Sequence, residues 1–132
     1  MKITSLFFVC GALSLVACGS DEETSVAPSI SGIAWDTTEV TAGQMKTLKS
    51  AVTVVDPDGD VSEFQTALGP KGGALQEFPA QSSGGMDGKY NTSGGLQVTV
   101  GIPVAGTYEL HVWMKDKAGH KSNVVVTDIT AK

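Results

Sequence analysis

The chain has 132 residues, with fourteen acidic side chains against nine basic ones, a formal net charge of −5, and lysine as its sole cation besides histidine. An acidic chain without arginine is a poor match to phosphate backbones, which are held by clustered Lys and bidentate Arg, so composition argues against nucleic acid as a partner. Both cysteines, Cys10 and Cys18, lie within the first eighteen residues. The rest of the chain therefore has no disulfide available, and its core must hold by packing alone.

In chain order, Lys2 precedes an apolar run from Ile3 to Val16 that is broken only by Thr4, Ser5, Gly11 and Ser14. At roughly 14 residues this run is shorter than the about 20 that a helix needs to cross a bilayer, and it has the build of a signal-peptide core. It ends in Leu15-Val16-Ala17-Cys18, which resembles the lipobox of bacterial lipoproteins. That resemblance implies a signal peptide over residues 1–17, cleavage after Ala17, diacylglycerol on the Cys18 thiol and a further acyl chain such as palmitate on its amine. Two or three chains anchor stably to a membrane where one does not. The alternative is an ordinary secretory signal cut nearby, leaving a free thiol. Gly19 stands where inner-membrane lipoproteins carry Asp, so the same resemblance implies the outer membrane. Asp21-Glu22-Glu23 looks like the acidic export signals of surface lipoproteins in some Bacteroidetes-type bacteria and reads equally as a solvated linker, leaving the periplasmic or exterior face open. Residues 18–28 form a small, acidic, aromatic-free segment, and as a flexible tether the stretch after Cys18 spans about 15 to 20 Å.

From Ser29 the apolar spacing changes to two, the period of strands with one buried face. Ile30 to Trp35 is a first strand, extended by Glu39 to Thr41. Lys46 to Val55 sets Leu48, Ser50, Val52 and Val54 on one face against Thr47, Lys49, Ala51 and Thr53 on the other. After the turn Asp56 to Asp60, Val61 to Leu68 places Phe64, Thr66 and Leu68 together. Residues 69–95 are rich in glycine and predict short edge strands near Leu75 to Phe78 and Gly88 to Asn91. Leu96, Val98, Val100 and Ile102 then alternate with Gln97, Thr99 and Gly101, and Tyr108, Leu110, Val112 and Met114 alternate with Glu109, His111, Trp113 and Lys115. A hairpin turn at Asp116 to Gly119 leads to Asn123 to Thr130. Pairing Lys115 with His120 sets His111 near Val124 and Trp113 near Ser122.

About seven strands with turn clusters and no helical periodicity predict an all-β, antiparallel, Greek-key sandwich in one domain over residues 29–132, long enough to bury about two-thirds of its surface. Three stretches carry a resemblance: Val54 to Asp60, Gly106 to Val112, and Asp116 to Ser122. Over Pro28 to Lys132 the chain resembles bacterial immunoglobulin-like domains, the group that includes polycystic-kidney-type, cadherin-like and fibronectin-type-III-like modules. It departs from them in lacking paired core cysteines and a Trp-Asp-Phe-Gly-Asp motif. Such a resemblance implies a fold and leaves the activity open.

Asp56, Asp58 and Asp60 are spaced so that a tight turn brings their oxygens together, as a hard cation such as Ca²⁺ requires. The simpler reading is a Pro-Gly turn whose aspartates cap backbone amides, without a cofactor. His111 and His120 lack the further ligands of a zinc site, and no nucleophile–base pattern is present. Alternation directs His111 and Trp113 outward with Val124 and Val126, a surface suited to an envelope protein or polymer unless residues 69–95 cover it. Tyr108 is expected to bury its ring and to bond its hydroxyl to the preceding turn. The function expected is a membrane-anchored, non-catalytic binding or structural module at the cell envelope. The alternatives are a calcium-stabilised adhesion-type module and an enzyme with its site in residues 69–95.

Overall fold

A computed structural model describes residues 25–83 and 92–132. Nine strands follow in chain order: β1 (Ser29–Trp35), β2 (Glu39–Val40), β3 (Met45–Val55), β4 (Val61–Pro70), β5 (Gln76–Glu77), β6 (Gln81–Ser82), β7 (Thr92–Gly101), β8 (Gly106–Asp116) and β9 (Val125–Ala131). They form two sheets, one in the order β1-β3-β7 and the other in the order β2-β9-β8-β4-β5, with β6 also on β4. This is the all-β sandwich that the alternating stretches predict, with the immunoglobulin-like architecture that the resemblance implies. One of the expected strands is broken in two, since the first leaves its sheet after Trp35, and the strand expected near Leu75 to Phe78 is the two-residue β5.

Period-two alternation decides which side chains meet between the sheets. Leu48, Val52 and Val54 of β3 and Leu96, Val98 and Val100 of β7 are buried from one side, and Phe64, Leu110, Val112, Met114 and Ile129 from the other. Each such side chain contributes about 1.5–3 kcal/mol relative to exposure. Tyr108 meets half of its expectation: its hydroxyl donates to the Val104 carbonyl at 2.9 Å, but its ring is half-buried at the rim of the core.

Three local expectations are corrected. Glu39–Val40 crosses to the second sheet and pairs in parallel with β9 (Glu39 with Thr130, Val40 with Ala131) instead of extending β1. The final hairpin is also wider than strict alternation suggests. Lys115 bridges Lys121 and His111 faces Val126, because the turn runs from Asp116 to the His120 carbonyl and one extra residue is absorbed before β9. Lastly, β6 is an edge strand that the glycine-rich composition concealed. The strand expected near Gly88 to Asn91 lies outside the described residues.

Candidate functional site at the tether pole

One pole of the sandwich is formed by the β3–β4 turn, the β8–β9 turn and the N-terminal segment. Gly59 takes a positive φ of 67° and Gly119 one of 89°, which lets both turns reverse tightly. Asp56 is completely buried. Its carboxylate accepts the amide N–H groups of Asp58 (3.2 Å), Asp60 (2.6 Å) and Val61 (2.8 Å). This is the capping role of a turn aspartate.

The pole also carries a fourth carboxylate. Asp116 is 2% exposed and accepts the His120 amide at 2.7 Å, His120 Nδ1 at 2.8 Å and the Ser25 hydroxyl at 3.0 Å. Burial works to raise its pKa, but the His120 amide and imidazole together with Ser25 outweigh it and hold Asp116 below its ordinary 3.8. Asp60 is displaced the other way, by burial first and then by the charges of Asp116, Asp56 and Asp58. The Lys117 amide donates to the Asp60 carbonyl at 3.0 Å and so joins the two turns.

Asp56, Asp58 and Asp60 each offer an oxygen within 4.8 Å of the others, as their spacing predicts. Asp60 Oδ1 is buried and makes no hydrogen bond, whereas Asp56 is committed to three amides. The oxygens thus suit a hard cation in number but not in freedom.

Ser25 and Val26, which the sequence assigns to the tether, are bonded to this pole. Ser25 binds Asp116, and the Val26 amide donates to Asp58. Asp116 and these two residues are the part of the pole that sequence reasoning missed. Asp116 was visible only as a turn residue, and nothing in a linear pattern ties it to positions ninety-one residues away. Cys18 lies outside the described residues.

At the other candidate surface the exposure expected of Trp113 is absent. The indole is 6% exposed although it points outward from β8. Lys121 Nζ sits 4.2 Å from the ring centroid, since the wide hairpin sets Lys121 opposite Lys115 and beside the ring. The Lys121 ammonium makes a cation–π contact with the indole. His111 is half-buried, 3.4 Å from Glu109, and Val124 and Val126 remain exposed on that side as expected. The outward patch is therefore a pair of valines without the tryptophan.

The sequence matches no protein-family model and is similar to no curated protein. Among solved structures, the fold is similar to the PKD domain of an M14-like peptidase from Thermoplasmatales archaeon SCGC AB-540-F20, at 19% identity over 81% of this chain and 97% of that one, with a TM-score of 0.51. It is also similar to a Niemann-Pick type C2 protein from Japanese carpenter ant, at 12% identity over 82% of this chain and 95% of that one, with a TM-score of 0.54. At these identities the likeness is one of fold alone.

Proposed function

Starting from an immunoglobulin-like β-sandwich, we propose that this chain is a lipid-anchored envelope protein whose domain serves a non-catalytic binding or structural role. Lipid on Cys18 ties it to the membrane, with the outer membrane as its place. The observation that carries this reading is the lipobox-like Leu15-Val16-Ala17-Cys18. The fastening of Ser25 and Val26 to the acidic pole, seven residues after Cys18, sets which end of the domain it would tether. A tether of that length reaches at most about 25 Å when extended. It would hold the pole that gathers Asp56, Asp58, Asp60 and Asp116 close to the bilayer and leave surfaces away from that pole to meet an envelope protein or polymer.

Fractionation of cells expressing the Cys18→Ser chain tests the anchor. The variant is expected to leave the membrane fraction while keeping the melting midpoint of the parent domain. A Cys18→Ser protein that stays on membranes through a carbonate wash overturns the lipid reading.

The unbonded, buried Asp60 Oδ1 favours a second reading, in which Ca²⁺ stabilises the same pole. Comparing melting in Ca²⁺ and in EDTA tests it.

A further inference from the structure

An edge strand exposes a row of unpaired amides and carbonyls, and folded proteins blunt such edges with short strands, bulges, proline, charge or a covering group. Most edges of this sandwich are treated in that way. On β1 the Asn123 side chain accepts the Ile30 amide at 2.7 Å and donates to the Ile30 carbonyl at 3.0 Å, and the register shifts between Ile30 and Gly32. β2, β5 and β6 are two residues each, and Pro79 stands between the last two.

β7 is the exception. Its ten residues pair with β3 in unbroken register on one side, and on the other side they meet no backbone partner among the described residues. Thr92 to Gly101 contains neither a charged residue nor a proline. Phe78, Pro79 and Gln81 stand across from Gln97, Val98 and Thr99 of this edge, with a groove of about 300 Å³ between them.

We propose that β7 is an association site for a second copy of this chain, paired edge to edge and antiparallel about a two-fold axis, which joins two three-stranded sheets into one of six. The chemistry that complements a bare strand edge is another bare strand edge, and a second copy carries the same one. Residues directly opposite in an antiparallel pair share a face, so a two-fold on Gln97 sets Ser93 against Gly101 and Gly95 against Thr99. These are small and uncharged, so the seam escapes the like-charge repulsion that a chain of net charge −5 brings elsewhere. Among the described residues the nearest charge is Lys49, beside Gln97 on β3. It lies three strand spacings from its mate, about 14 Å, beyond the reach of unscreened repulsion at physiological salt. The two-fold crosses the strands, so the tether poles of the two copies face opposite ways, and both lie near one surface only when the strands run along it.

The test is sedimentation of the full-length chain carrying Cys10→Ser and Cys18→Ser, in which neither lipid nor a disulfide links two copies. One ladder covers less than a standard interface, so dimers are expected at about 1–100 µM. Gly95→Lys with Gln97→Lys places four ammonium groups on the seam and is expected to weaken association at least about tenfold. A Cβ on Gly95 meets nothing nearer than the Ser50 carbonyl at 3.9 Å, so the melting midpoint of the monomer should stay near that of the parent. As a second readout, amide exchange in β7 should slow with protein concentration while exchange in β1 does not. A parent chain that stays monomeric across this range overturns the proposal, and so does a double-lysine variant that dimerises as tightly as the parent.

Discussion

Asp56 and Asp58 sit two residues apart in one turn, yet they carry different loads. Asp56 is buried and is the acceptor for three amides, including the buried Val61 N–H. Replacing it leaves those donors without a partner, and Asp56→Ala is expected to cost about 3 kcal/mol, read from the urea midpoint. Asp58 is exposed and, among the described residues, its carboxylate accepts the Val26 amide, so Asp58→Ala is expected to stay within about 0.5 kcal/mol of the parent. Because the Asp56 carboxylate is already committed, the parent should also melt equally in Ca²⁺ and in EDTA. A calcium-dependent rise in midpoint, lost in Asp58→Ala, would assign a cation to this turn by mass action on the folded state.

Among the elements, β1 depends most on groups outside its own ladder. Its inner residue Ile30 is buried, and its edge is closed by the two Asn123 bonds. Its end is tied across to the second sheet by Trp35 Nε1, which donates to the Thr127 hydroxyl at 3.1 Å. Asn123→Ala removes both edge bonds and is expected to destabilise the domain by about 1–3 kcal/mol. Exchange should quicken in β1 before it does in β3. Equal protection of β1 in parent and variant would show that the β3 ladder alone holds this strand. β8 depends on its neighbours in a different way, since its outward tryptophan makes a cation–π contact with a lysine from the far side of a widened turn.

For the whole molecule, the acidic pole makes stability depend on pH in two opposed ways. Asp116 has a lowered pKa in the folded state. The stability it contributes is complete above its ordinary 3.8 and is lost as pH falls through the lower folded value. Asp60 has a raised pKa, so its ionisation opposes folding. That penalty grows as pH rises from the ordinary 3.8 through the raised value, and it persists at neutral pH. Asp60→Asn is therefore expected to be more stable than the parent at pH 7 and to converge with it below about pH 3.8, its unfolded value. Urea midpoints from pH 7 to acid check this. A variant less stable than the parent at pH 7 would mean that a favourable partner of the Asp60 carboxylate outweighs its burial and the repulsion from its neighbours.

Much of the sandwich is legible in the alternation of Leu48 to Val54, Leu96 to Ile102 and Leu110 to Met114, because a strand with one wet face writes its orientation into consecutive residues. The turn at Asp56 to Asp60 is legible for a related reason: proline, glycine and aspartate act on backbone within a few positions of themselves. Tertiary structure alone decided the rest. The parallel return of Glu39–Val40 to β9, the meeting of Asp116 with Asp60 and Ser25, the contact of Lys121 with Trp113 and the lack of a partner on the outer side of β7 among the described residues each depend on which strands and turns come together. Burial and pairing at those places are set by which strand ends as a neighbour, and a single strand's periodicity holds no record of its neighbours.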